Sequence, residues 1–412
     1  MKSFQDVIVT RRSFMGMGVG SAAALALAGC GGGSSEGGTT AGGAFAGLIC
    51  HIDENSTYDL CFINDFKAAC EGLGLSEGEY LIKTNVAESD AALDAASELV
   101  DAGCKIVFAD SYGHQDYLIE AAKEFPEVHF VSCTGDKALT EGLDNFHNAF
   151  AEIFNGRFLA GVAAGLKLQE LKDAGKLKSD TPKMGYVGAF TYAEVVSGYT
   201  SFFLGAKSIV EDVTMDVTFT GSWGDEALEK EAATKLINNG ASVISQHADT
   251  MGAPTACENA GVFDVSYNGS TVDACPKTFI VSTRIDWEPY FTYAIGAVQN
   301  DEAFDTDWTG TLATGSIVMT EVNEQAAAEG TVEKLQEVEA QLADGSVHVF
   351  DTSTFTVKGK KLKSYQANVE PDEGFEGDTE VVSDGYFHES EYRSAPYFDL
   401  QIDGINLLDT KF

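Results

Sequence analysis

The sequence predicts an α/β protein of two similar lobes, each a parallel sheet covered by helices, and three observations carry that expectation. From Phe45 onward, short β-branched runs alternate with amphipathic stretches, the pattern of buried strands separated by crossover helices. Helices that precede strands close on glycine, in VDAG (Gly103), INNG (Gly240) and ENAG (Gly261), where a left-handed cap favours a residue without Cβ. A pseudo-repeat displaced by about 137 residues places LVDAGCKIVFAD (Leu99 to Asp110) over LINNGASVISQH (Leu236 to His247). The same shift, to within one residue, carries Ala46-Gly47-Leu48-Ile49 onto Met184-Gly185-Tyr186-Val187, and Phe66 with Ala69 onto Phe203 with Ala206. One match would count for little; one shift recurring at three places implies two copies of one design.

Taken in order, the first thirty residues read as an address and not as part of the fold. Arg11 and Arg12 before Phe14 form a twin-arginine pattern, a receptor-read export tag for folded proteins. Leu27-Ala28-Gly29-Cys30 has the form of a lipobox, in which the Cys30 thiol is lipidated and residues 1–29 are removed. Residues 30–43 are rich in Gly, Ser and Thr and make a flexible tether. The body then begins at about Ala44. Its expected strands are Ala46–His51, Tyr80–Thr84, Lys105–Ala109, Val128–Cys133, Lys183–Phe190, Thr214–Thr220, Ser242–Gln246, Val262–Tyr267 and Thr278–Thr283. Within Phe154 to Leu166, Gly156, Ala160, Gly161, Ala164 and Gly165 form a small-residue stripe at helical spacing, which lets that helix approach another backbone closely.

Composition narrows the function classes. A formal charge of −38 repels nucleic acid and anionic lipid surfaces. With Cys30 committed to lipid, seven cysteines remain (Cys50, Cys61, Cys70, Cys104, Cys133, Cys257, Cys275), without CxxC or zinc-ligand spacing; free, mostly buried thiols are expected.

Ligands of open α/β sheets bind beyond the carboxyl ends of the strands, so the residues there are the candidate site. The first lobe supplies His51 to Asp59, Asp110-Ser111-Tyr112 and Thr134-Gly135; the second supplies Phe190 to Glu194, Trp223, His247-Ala248-Asp249 and Asn268, and Asp286 and Trp287 follow a further strand. The set is rich in aromatics (Tyr58, Phe62, Tyr112, Trp223, Trp287), carboxylates and amides, and neither His51 nor His247 has a nucleophile at a recognisable elbow. Flat aromatic faces with a few acceptors suit a planar heterocycle or a sugar ring, a composition for binding and not for catalysis. Structural roles compete at several positions. Phe62 shares an apolar helix face with Phe66 and Ala69, Trp223 precedes a helix capped by Asp225, Trp287 opens a helix with Pro289 in its first turn, and Asp110 and Asp249 suit helix caps equally.

The runs FNGRFLAGVAAGL, KMGYVGAF, GAKSI, GSWGDEALEKEAATKLINNGASVISQHADT and the DWEPYF block resemble, in order and spacing from Ala44 to about Val322, the basic membrane lipoprotein family. Its members are the substrate-binding components of ABC importers for nucleosides and purine bases. The resemblance implies a type I periplasmic-binding fold with three interlobe crossings and a hinge. It divides the body into an N-terminal lobe (44–155 plus 282–315) and a C-terminal lobe (156–281 plus 316–412). It further implies that Trp223 and Trp287 flank a base, that Asp249 with His247 or Gln246 reads its edge, and that Tyr112 beside Asp110 and Ser111 closes the first-lobe side. In the loop after the first strand, DENSTYDLCFIND, Asn55, Tyr58 and Asp59 stand loosely where nucleoside-binding relatives carry an acidic, Asn-containing loop. The resulting expectation is a monomeric binding protein on the outer membrane face, held by the lipid on Cys30. It would deliver a purine or nucleoside to permease and ATPase subunits, with no cofactor, metal or catalytic residue. A sugar or autoinducer-type ligand, or a receptor presenting its closed form to a membrane sensor, are the alternatives.

Overall fold

The computed structural model describes residues 43–371 and 377–410. The expected leader (1–29), the lipidation site Cys30 and the tether up to residue 42 lie outside the described residues. The first sheet contains β1 (Ala46–Ile49), β2 (Tyr80–Lys83), β3 (Ile106–Ala109), β4 (His129–Ser132) and β5 (Phe146–Ala151); the second contains β6 (Lys183–Gly188), β7 (Thr214–Phe219), β8 (Val243–His247), β9 (Phe263–Tyr267) and β10 (Phe279–Ile285). After β10 the chain adds β11 (Asp307–Gly310) to the first sheet beside β5 and β12 (Ile317–Met319) to the second, antiparallel to β10. The sheet orders are β11-β5-β4-β3-β1-β2 and β12-β10-β9-β8-β6-β7, the latter extended beside β7 by Ile405–Leu407.

The repeat read from the sequence is visible as register. Ala46 faces Ile106 in the first sheet as Met184 faces Val243 in the second, so β1 and β3 are matched by β6 and β8. Gly103, Gly240 and Gly261 all take positive φ, as the caps before β3, β8 and β9 require.

The helices are α1 (Thr57–Gly72), α2 (Asp90–Asp101), α3 (Gln115–Glu124), α4 (Ile153–Asp173), α5 (Ala193–Lys207), α6 (Glu226–Asn238), α7 (Gly252–Ala260), α8 (Glu288–Gln299) and α9 (Thr331–Ala343), apart from short turns. Their starts are written locally: Ser56 accepts from the Asp59 amide, and Asp225 from the Leu228 amide, satisfying donors that a first turn leaves free. The small-residue stripe of α4 does what its spacing implies. A Cβ on Gly161 would lie 2.0 Å from the Phe202 carbonyl oxygen, and one on Gly205 would lie 2.1 Å from that of Phe158, so α4 and α5 meet backbone to backbone.

Three crossings join the lobes, after β5, after β10 and after β11. The expected return to the first lobe at residue 282 falls inside β10, which belongs wholly to the second sheet; the chain crosses back after Ile285. All seven described cysteines are free, and six of them are buried.

Candidate functional site

The carboxyl ends of the two sheets face each other across a cleft. From the first lobe, β1 leads to His51 and to Asp59 on the first turn of α1, β3 leads to Asp110, Ser111 and Tyr112, and β4 leads to Thr134. From the second come Glu194 at the start of α5, Trp223 after β7, His247 and Asp249 at and after β8, and Tyr267 at the end of β9. The lobes touch at the rim: the Thr57 amide donates to the Asp249 carbonyl at 3.1 Å, and the Tyr112 and Tyr192 rings lie 5.6 Å apart. The space open between their walls is small, about 30 Å³.

Of the residues expected at the site, Tyr58, Asp110, Ser111, Tyr112, Trp223, His247 and Asp249 line the cleft. Phe62, Asn268 and Trp287 do not. Trp287 is fully buried in the first-lobe core with its ring 4.5 Å from that of Phe62, itself without exposure, and beside Phe150 and Phe291. The Trp287 amide donates to Asp65 Oδ2 at 3.0 Å, and Arg284 holds that same oxygen at 2.7 Å. Both rings thus anchor α8 to α1 where the chain has just crossed from β10, a packing duty set apart from the residues that line the cleft. Asn268 follows β9 with φ +67 and donates its amide to the Thr283 carbonyl. It turns the chain after β9, and its buried Nδ2 has no hydrogen-bond partner.

The cleft is acidic on both walls. Asp110 Oδ1 accepts from the His51 amide at 3.0 Å while Oδ2 has no partner; burial, then the neighbouring Asp59, pushes the Asp110 carboxyl well above the ordinary range. Asp59 Oδ1 accepts from the Ile52 amide at 2.7 Å, and Tyr58 donates its hydroxyl to the Asp110 carbonyl at 2.6 Å. Neither Asp110 nor Asp249 caps a helix. Burial likewise raises Asp249, helped by Asp59, Glu229 and Glu194 and opposed by Arg157. His247 is held below its usual pKa by burial and then by Arg157; its Nε2 lies 3.1 Å from Glu194 Oε1 and its Nδ1 3.3 Å from the Tyr186 hydroxyl. Arg157 is fully buried behind this wall, its guanidinium 3.4 Å from the Tyr267 ring centre and one nitrogen donating to the Gln246 carbonyl at 3.0 Å.

Among the described residues one three-donor group meets the spacing of a metal site: Cys50 Sγ and the carboxylates of Asp59 and Asp110, within 4.8 Å of one another. Burial raises both the Cys50 thiol and the Asp110 carboxyl well above their usual values. A cation would have to compete with protons for the Cys50 thiol and the Asp110 carboxyl.

Behind Asp249, Glu229 on α6 is without exposure and accepts from the Thr250 hydroxyl at 2.7 Å. Burial lifts its pKa to about 7. The folded form thus binds the proton more tightly than the unfolded chain, whose carboxyl titrates near the ordinary 4.5. This contribution is complete below that value and is lost as pH rises towards 7. Glu229→Gln should flatten part of the fall in melting temperature between pH 4 and pH 8, with the gain over the parent growing at higher pH; an equal change at both ends would remove this account.

Residues 49–348 match the family model described as ABC transporter substrate-binding protein PnrA-like. The chain belongs to that family. Among curated relatives, a purine-binding protein of Brucella abortus is 32% identical over 55% of this chain and 60% of its own length. A Haloferax volcanii protein named as an ABC transporter glucose-binding protein is 26% identical over 61% of this chain and 60% of its own, and a nucleoside-binding protein of Lactococcus lactis is 26% identical over 45% and 47%. The chain therefore spans about 60% or less of the length of these relatives. Among solved structures, solute-binding proteins of ABC systems from Conexibacter woesei (TM-score 0.60, 18% identity, 74% of this chain and 98% of that one) and Aeropyrum pernix (TM-score 0.61, 17% identity, 74% and 93%) share the fold. The architecture is that of type I periplasmic binding proteins.

Counting strand ends reached His51, Asp59, Thr134 and Glu194, which line the cleft beside the named candidates. It missed Tyr267, the last residue within a strand, and Arg157, hidden in a helix whose small residues dominated its reading. A lone charge among the apolar and small residues of the first half of α4 was the available signal.

Proposed function

We propose that the chain is the ligand-capturing subunit of an ABC importer for a purine base or nucleoside, anchored on the extracytoplasmic face by a lipid on Cys30. It acts as a monomer, without catalytic chemistry or cofactor, and hands its ligand to permease and ATPase subunits. The observation that carries this reading is the pairing of aromatic faces (Trp223, Tyr267, Tyr58) with four carboxyl groups (Asp59, Asp110, Asp249, Glu194) in a cleft lined by no lysine or arginine. Such a surface accepts hydrogen bonds from ring N–H groups and hydroxyls, stacks against a planar ring, and offers a phosphate no lysine or arginine to pair with. The relatives named for purine and nucleoside binding support the same class. Capture proceeds by hinge closure, the ligand favouring the closed form.

The glucose-binding name of the Haloferax relative supports a second reading, since the same acceptors suit pyranose hydroxyls. Thermal melting of residues 44–412 against purine bases, nucleosides, nucleotides, pyrimidines and monosaccharides separates the two, because a ligand that binds only the folded state raises the midpoint. Stabilisation by adenine, guanine or their nucleosides, with no response to the 5′-phosphates, is the expected result. A response to sugars alone would overturn the purine reading.

A further inference from the structure

The family match ends at residue 348, and the chain that follows is not confined to one lobe. Its end is fixed to the second: Ile405–Leu407 pair with β7, Asp409 accepts from the Phe219 amide at 3.1 Å, and the Tyr199 hydroxyl donates to Gln401 Oε1 at 3.2 Å. Buried Glu389 accepts from the Tyr397 and Phe398 amides and faces Ser197 of α5. Between these fastenings the same segment grips the first lobe. The Ser394 amide donates to Asp307 Oδ2 at 2.8 Å and its hydroxyl to Oδ1, and Asp307 opens β11, the edge strand of the first sheet. Arg393, buried, ties the segment together by donating to the carbonyls of Val369, Ala395 and Pro396 at 2.8, 3.1 and 3.0 Å. Its Nη1 lies 3.9 Å from Asp136 Oδ2, the oxygen that accepts from the hydroxyl of Tyr112 on the lip of the cleft at 3.3 Å.

We propose that residues Glu389–Asp409 form a strap that limits separation of the lobes. Hinge opening turns the lobes about their crossings, so a contact made to both lobes outside those crossings must stretch, slide or break. The Ser394–Asp307 link is such a contact, and it joins a segment fastened by strand pairing on the other side. A further tie from Arg393 through Asp136 to Tyr112 brings the strap to the lip itself. The strap stands on fold geometry, and only its effect on ligand release rests on the proposed function.

Small-angle scattering of the ligand-free protein tests it directly. The double variant Ser394→Ala with Asp307→Asn should have a larger radius of gyration than the parent, and Ser394→Ala alone, which keeps the amide bond, should fall between them. If the double variant does not fold, the single one decides. An unchanged radius, whether melting is kept or lowered, would reduce the segment to ordinary packing and overturn the strap. With adenosine as probe, dissociation from the double variant should be roughly tenfold faster, the change falling on release more than on association; an unaltered rate beside a larger radius would overturn the link to ligand release. Because scattering needs no ligand, failure of adenosine to bind would count against the purine reading and leave the strap result standing.

Discussion

Trp287→Ala should cost about 3–5 kcal/mol of stability, the range for emptying a large buried aromatic site, and leave purine affinity of the folded protein unchanged. The ring lies 4.5 Å from Phe62 and joins a cluster that includes Phe150 and Phe291. Its loss opens a cavity where α8 meets α1, next to the Asp65–Arg284 ion pair that fixes the crossing. Denaturant unfolding gives the first quantity and ligand titration below the transition gives the second. Lost affinity with retained stability would return Trp287 to the ligand, as the sequence resemblance implies.

Trp223→Ala should do the reverse. This residue is only half-buried, its ring 5.1 Å from that of Phe190 and 6.4 Å from the His247 imidazole, and it lines the cleft. Its removal should weaken purine binding by about 1–3 kcal/mol, by analogy with base–aromatic stacking. The Trp223 carbonyl, which accepts from the Asp249 amide at 2.9 Å, survives the substitution, so Asp249 keeps its place and melting should move little. Titration calorimetry with adenosine reads the loss; full affinity would remove the stacking role.

These two tryptophans show where sequence reasoning reaches its limit. Each follows a strand and precedes a helix, so the strand-end rule treats them alike. What separates them is the crossing after β10: Trp223 stays in the lobe that made its strand, whereas Trp287 enters the other lobe and is swallowed by its core. The two-lobe design was legible because the pairs β1/β3 and β6/β8 repeat in sequence. By contrast β5, FHNAFA, hides its buried strand behind His147 and Asn148, whose polar groups find partners only in the tertiary fold. The short return strands β11 and β12 carry too few residues to announce themselves. Asp110, Asp249 and His247 were found because they sit where strands end, yet their acidity follows from burial and from neighbours on other strands, which no local pattern encodes.

The seven thiols of the body bear on how such a protein is made. A thiol reacts with disulfides as its thiolate, and burial lifts Cys61, Cys70 and Cys104 to about 12 and Cys50, Cys133 and Cys257 well above the usual value. Folding thus hides six of the seven thiols from oxidants, with Cys61 half-buried. An unfolded chain would meet an oxidising compartment with seven competing partners and no correct pairing to find. A twin-arginine leader of the kind expected from the sequence would carry the chain across already folded, with its described thiols sheltered before the environment can reach them.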